Sequence, residues 1–78
     1  MMNNTYTNNI KSIRDEKNLT LKQVAKKTKP RLSFGYIGNL ERGKKTNPTL
    51  DVMKNISNAL GKSVGEVFPD FNKIGKEE

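Results

Sequence analysis

The side chains of this chain best suited to binding chemistry are a dense run of cations. Residues 22–45 include eight Lys and Arg residues and a single acid, Glu41, so this stretch alone carries a charge equal to the net charge of the whole chain, +7. The cations are Lys22, Lys26, Lys27, Lys29, Arg31, Arg42, Lys44 and Lys45. Crowded like charges repel one another unless an anion binds them, so the run indicates a surface for the phosphates of a polyanion. The alternative is a solvated lysine-rich face that binds nothing.

Other chemistry is poorly provided for. The 78 residues contain no His, the commonest general base, and no Cys, the residue that supplies thiolate metal ligands. The eight carboxylates are scattered, without a pair beside a nucleophile. We therefore expect no enzymatic activity, no metal site and no cofactor. No apolar run approaches the roughly 18 residues of a membrane span, and the N-terminus lacks a signal-peptide pattern. The expectation is a cytoplasmic protein with no membrane partner.

Helical signals follow one another along the chain, and alternation typical of strands is missing. Ile10 and Ile13 are one turn apart on a first amphipathic helix, which is predicted to end near Asn18. Capping boxes, in which Thr or Ser precedes Gln or Glu by three residues, predict starts at Thr20 and Ser63. Further predicted helix starts are Ser33 and Thr49, and predicted stops are Pro30, Gly43, Gly61 and Pro69.

The pattern predicts one compact all-α domain of five short helices. Its predicted inward-facing residues are Val24, Ala25, Thr28, Ile37, Leu40, Leu50, Met53, Ile56, Leu60, Val67 and Phe68. Residues 1–7 are predicted to be a flexible arm, residues 8–69 the domain, and residues 70–78 a tail. Phe71 and Ile74 of the tail are candidates for a dimer interface; the alternative is a frayed end.

Several blocks of the chain carry a family resemblance. They are Leu19-Thr20-Leu21-Lys22-Gln23-Val24-Ala25, Tyr36-Ile37-Gly38-Asn39-Leu40-Glu41-Arg42-Gly43-Lys44, Asn47-Pro48-Thr49-Leu50 and Leu60-Gly61. Together they resemble the XRE/Cro/cI family of helix-turn-helix proteins over roughly residues 9–68. The resemblance implies a lambda-repressor-like domain with the helix-turn-helix in the second and third helices, the third of which lies in the major groove of DNA.

The resemblance also implies where DNA would be contacted. With Ile37 and Leu40 inward, Gly35, Gly38, Asn39 and Arg42 should face outward. The candidate base contacts are Ser33, Phe34, Gly35 and Asn39. The Asn39 amide suits adenine, and the Phe34 ring at the tip of the helix suits a thymine methyl. The candidate phosphate contacts are Lys22, Lys29, Arg31, Tyr36, Arg42, Lys44 and Lys45; Arg42 is placed for either a phosphate or a guanine edge. Three alternatives stay open: Phe34 is a core or interface aromatic, Ser33 only caps its helix, and the Tyr36 ring packs inward.

The chain departs from the family pattern at two places, and the resemblance implies one ion pair. Leu21 stands where the family has a phosphate-gripping Gln, which Lys22 or Gln23 would have to replace unless the capping box occupies Gln23. The turn before the third helix is about two residues longer than usual. The resemblance further implies an ion pair between Arg14 and Glu41 that fixes the third helix; the alternative is two ordinary surface charges.

The resulting functional expectation is a sequence-specific regulator that binds double-stranded DNA, a repressor acting as a homodimer on a two-fold operator. An antagonist protein or peptide is expected as a further partner. The alternatives are a protein-interaction module, such as an antitoxin or a regulator that sequesters a partner, and an RNA-binding protein. The scarcity of aromatic side chains for stacking on bases counts against RNA.

Overall fold

The computed structural model describes residues 8–45 and 47–71, and these form five helices and no strand. The helices are α1 (Ile10–Glu16), α2 (Leu21–Lys27), α3 (Phe34–Glu41), α4 (Leu50–Leu60) and α5 (Val64–Val67). The predicted all-α, five-helix architecture is confirmed. The predicted arm, residues 1–7, and Ile74 of the predicted tail lie outside the described residues.

Side-chain caps set the beginnings of four helices. In each, a hydroxyl accepts a hydrogen bond from the backbone N–H three residues later, which satisfies a donor that the helix itself cannot pair. The capping residues are Thr20, Ser33, Thr49 and Ser63, all as predicted. The capping boxes predicted for α2 and α5 are both complete.

Left-handed residues follow three of the helices. Asn18 has φ 58°, Gly43 has φ 80° and Gly61 has φ 71°. Asn and Gly are the residues that adopt this conformation most readily, so the predicted stops after α1, α3 and α4 are confirmed. α2 ends at Lys27, with Thr28 already extended (ψ 148°) ahead of Pro30.

The core is formed where one face of each helix meets the others. Its buried apolar residues are Ile10, Ile13, Val24, Ala25, Ile37, Leu40, Met53, Ile56, Ala59, Leu60, Val67 and Phe68. Leu50 was predicted to join them and does not, since it remains 47% exposed. It is the first residue of α4, and the buried face of that helix begins one turn later, at Met53.

Gly38 also departs from the sequence pattern, which predicts it on the outer face of α3. It is buried, and a Cβ placed on it would lie 3.2 Å from Leu21 Cδ1 and 3.2 Å from Arg42 Nη1. The missing side chain therefore brings the beginning of α2 against the middle of α3 and leaves space for the Arg42 guanidinium. Gly38 serves packing within the protein, where an outward position was predicted.

Candidate nucleic-acid interface

The turn between α2 and α3, residues 28–33, is held from both sides. The buried Thr28 hydroxyl donates to the Ala25 carbonyl (2.6 Å) and accepts from the Leu32 N–H (2.8 Å). From α4, Asn55 Oδ1 accepts from the Lys29 N–H at 2.7 Å, and Asn55 Nδ2 donates to the carbonyl of Pro30 at 2.9 Å. The Lys29–Pro30 peptide bond is cis. The four hydrogen bonds fix the lengthened turn, and with it the position at which α3 begins.

The role of Asn55 was missed at the sequence level. It lies 25 and 26 residues from its two partners, and no local pattern marks an amide on a helix as the partner of a distant turn. Sequence reasoning places Asn55 only as a polar residue of α4.

The beginning of α3 is open to solvent. Ser33 is exposed and its hydroxyl accepts from the Tyr36 N–H at 3.1 Å. Phe34 is 48% exposed and thus lies outside the core, which removes one of its alternatives. A side chain at Gly35 would meet nothing within 4 Å. Tyr36 is half-buried, with its ring packed against the core as the inward alternative expects.

A groove of about 250 Å³ lies beside this tip, between α2 and the start of α3. Its apolar lining comes from Ala25, Leu32 and Phe34, and its cations are Lys22, Lys26 and Arg31. Lys22 Nζ lies 5.3 Å from the centroid of the Phe34 ring, in cation–π contact. The groove therefore combines apolar contact area with positive charge.

The second half of α3 carries a hydrogen-bonded pair of polar side chains. Asn39 is half-buried, and its Oδ1 accepts from Arg42 Nη2 at 3.1 Å. The backbone carbonyl of Asn39 accepts from the N–H groups of Lys44 (2.8 Å) and Lys45 (3.2 Å). The chain thereby turns back on the end of α3, and the side chains of Lys44 and Lys45 are exposed there.

Arg14 and Glu41, predicted as an ion pair, are in contact. Arg14 Nε and Nη2 donate to the two carboxylate oxygens of Glu41 at 3.0 and 2.9 Å, and Arg14 Nη1 donates to the Leu19 carbonyl at 2.9 Å. The hydrogen bond with Glu41 raises the pKa of Arg14 above its ordinary value, against an opposing effect of burial. Such a forked geometry is stronger and more directional than a single contact.

The pairing of Glu41 changes the charge balance of the basic stretch. All eight of its Lys and Arg residues are exposed, whereas its one acid is turned inward to Arg14, which lies outside the stretch. The surface formed by residues 22–45 therefore presents its cations with little compensating negative charge.

Gln23 and Phe71, two further candidates, both make contacts within their own chain. Gln23 Oε1 accepts from the Thr20 N–H at 2.8 Å, so the capping box occupies the acceptor of this amide and fixes the side chain at the beginning of α2. Phe71 is half-buried against its own chain, with its ring 3.9 Å from the Cβ position of Gly65.

Comparisons with known proteins agree with this geometry. A family model described as helix-turn-helix matches residues 10–67, which include all five helices. No curated protein and no solved structure gives a significant match. Within residues 8–45 and 47–71, no helix is long and apolar enough to cross a membrane. The chain belongs to the XRE/Cro/cI family of helix-turn-helix proteins, a family of DNA-binding regulators.

Proposed function

We propose that the protein is a sequence-specific transcriptional repressor that binds duplex DNA as a homodimer, with α3 in the major groove. The observation that carries the proposal is the exposed beginning of α3, where Ser33, Phe34 and Gly35 face solvent. In helix-turn-helix proteins the N-terminal residues of the second helix of the motif contact base edges.

The surrounding cations supply the non-specific part of the affinity. Lys22 of α2 and Arg31 of the turn border the tip of α3 on one side, and Lys44 and Lys45 follow its other end. A helix lying in the major groove has a phosphate backbone along each side, so cations at both ends of α3 suit that placement. Lys29, exposed on the turn, is a further phosphate contact in this arrangement.

Base recognition is assigned to the tip. The Phe34 ring offers apolar surface to a thymine methyl, and the Ser33 hydroxyl both caps α3 and reaches a base edge or a phosphate. Gly35 has no side chain, and the space beside it is open. The helix backbone can therefore approach the base pairs closely at this position.

Repression follows from occupancy of the operator. A dimer would place two copies of α3 in successive major grooves, about 34 Å apart, on a site with two-fold symmetry. The tail residues Phe71 and Ile74 are the proposed contribution to the dimer interface. An antagonist protein or peptide that covers the cationic surface would relieve the repression.

The proposal is tested by measuring duplex affinity against salt concentration. Several phosphate contacts should give a steep dependence, with a slope in log–log form of about −0.9 per contact. The double variant Lys44→Gln/Lys45→Gln should flatten the slope by about 1.8 and weaken binding alike on all sequences. Lys11→Gln is the control, since it removes an exposed cation of α1 that is paired with Asp15, and it should leave the slope unchanged.

A flat salt dependence of the wild type would contradict the proposal and favour the protein-interaction module. Selection of bound sites from a random duplex pool then tests the specificity. A two-fold symmetric word with half-sites one helical turn apart supports a dimer, whereas an asymmetric single word contradicts it.

A further inference from the structure

The Arg42 guanidinium lies back across α3 above Gly38. Although Arg42 follows the last residue of the helix, its Nη1 and Nη2 are 3.2 and 3.7 Å from the position that a Cβ of Gly38 would occupy. Its Nη2 donates to Asn39 Oδ1 at 3.1 Å. The guanidinium is therefore close to the Asn39 amide, on the face of α3 where a base contact was predicted.

The chemistry of Arg42 dictates how the Asn39 amide is oriented. A guanidinium has only N–H donors, so the Asn39 atom that faces it must be the carbonyl oxygen, the sole acceptor of that side chain. The two remaining N–H donors of Asn39 are directed away from the contact with Arg42. The exposed Arg42 adds guanidinium donors beside those of Asn39, and the contact already takes one of the two lone pairs of Asn39 Oδ1.

We infer that Asn39 and Arg42 form a donor-rich pair that recognises guanine in the major groove. The inference rests on the proposed function, which brings α3 into that groove. Guanine presents two acceptors there, O6 and N7, whereas adenine presents one acceptor, N7, and one donor, the N6 amino group. An Asn side chain pairs with adenine through both its oxygen and its nitrogen, and here Arg42 competes with the adenine amino group for Oδ1. Guanine recognition replaces the adenine contact predicted for Asn39.

Gly38 is the positioning residue of this arrangement. Any side chain at residue 38 would compete with the guanidinium for the same volume and would also press on Leu21 Cδ1 of α2. The glycine thus allows Arg42 to reach Asn39 without separating α2 from α3.

The inference is tested by selecting bound sites from a random duplex pool for the wild type, Arg42→Ala and Arg42→Met. The wild type should select guanine at one position of each half-site, and replacing it by adenine should weaken binding about 10- to 100-fold. Both Arg42 variants free Asn39 Oδ1, so they should select adenine at that same position. Arg42 is exposed, so both variants are expected to fold, which thermal unfolding checks.

Arg31→Ala is the matched control, because it removes one exposed cation from the same surface without touching Asn39. It should weaken binding on all sequences and keep the guanine preference. Asn39→Ala should reduce that preference about 10-fold without a change to adenine. Adenine selected by the wild type, or guanine retained by both Arg42 variants, would overturn the inference while the proposed function stands. If the wild type selects no particular sequence, the proposed function is overturned, and the inference with it.

Discussion

The guanidinium of Arg14 holds both carboxylate oxygens of Glu41, at 3.0 and 2.9 Å, and thereby joins α1 to the end of α3. The two side chains are only 12% and 8% exposed. The third bond of Arg14, to the Leu19 carbonyl, adds the connection between α1 and α2 to the same junction. One side chain therefore fixes α1, the connection that follows it and the distant end of α3 relative to one another.

Replacing Glu41 should damage both folding and DNA binding, although an acid has the wrong charge to contact phosphate. Glu41→Ala leaves the Arg14 charge unpaired in a mostly buried position, which typically costs about 3 kcal/mol or more in the free energy of unfolding. Urea denaturation measures that cost, and duplex titration under conditions where the variant is folded measures binding. Glu16→Ala removes an equally negative but exposed side chain from α1 and should change stability by less than about 0.5 kcal/mol. Equal stabilities of the two variants would argue against a structural role of the pair.

Phe34 should contribute to binding and hardly at all to stability. Because its ring is 48% exposed, Phe34→Ala should leave the unfolding transition nearly unchanged while it weakens binding of the selected duplex about 5- to 10-fold. Replacing thymine by deoxyuridine in that duplex removes only the methyl group that the ring is proposed to contact. The substitution should weaken the wild type and leave Phe34→Ala unaffected. Equal losses in both proteins would place the methyl contact elsewhere.

Asn55 should prove to be a binding determinant that is remote from DNA. Asn55→Ala removes both hydrogen bonds to the turn at Lys29 and Pro30, with an expected loss of about 1–2 kcal/mol in the free energy of unfolding. Affinity for the duplex should fall as well, because the start of α3 is then less well fixed. Asn58→Ala, at an exposed position on the same helix, is the control. The idea fails if the two variants have the same affinity.

Ser57 offers a way to stabilise the protein. It is 1% exposed, and its hydroxyl has no hydrogen-bond partner among the described residues. Ser57→Ala removes an unsatisfied buried group and improves helix propensity, so the free energy of unfolding should rise by about 1 kcal/mol. Asn58→Ala reports the gain from propensity alone. A gain no larger than in that control would show that the hydroxyl of Ser57 is satisfied.

The capping box of α5 makes stability depend on pH. The Ser63 N–H and then the Ser63 hydroxyl donate to the Glu66 carboxylate and lower its pKa below the ordinary value of 4.5. Since the folded state then binds the proton more weakly than the unfolded state, this contribution is complete above pH 4.5 and is lost as the pH falls through the lowered pKa. Glu66→Gln keeps an acceptor for the Ser63 N–H, so its stability should vary less with pH below 4.5. Identical acid profiles, followed by circular dichroism, would contradict this assignment.

Local signals in the sequence predicted most of the helix ends. Each capping hydroxyl and each left-handed stop depends on residues within about one helical turn, so Thr20, Ser33, Asn18 and Gly61 could be placed without knowledge of the fold. Core positions on α3 were equally accessible, because Ile37 and Leu40 repeat at helical spacing.

Contacts between distant segments were harder to predict. Leu50 fits the apolar spacing of α4, yet it lies where that helix has not reached the core. Gly38 fits the outer face of α3, yet α2 approaches closely enough to bury it. The bonds of Asn55 to the turn, and of Arg42 to Asn39, depend on how side chains fill space after the helices have packed, which spacing along the chain does not encode.

The attachment of the turn to α4 by Asn55 also affects how this protein could be engineered. Transplanting residues 20–43 alone onto another scaffold would leave the backbone groups at Lys29 and Pro30 without the amide that binds them. A chimera designed to transfer the operator preference would therefore have to include an Asn at the equivalent position of the recipient's fourth helix.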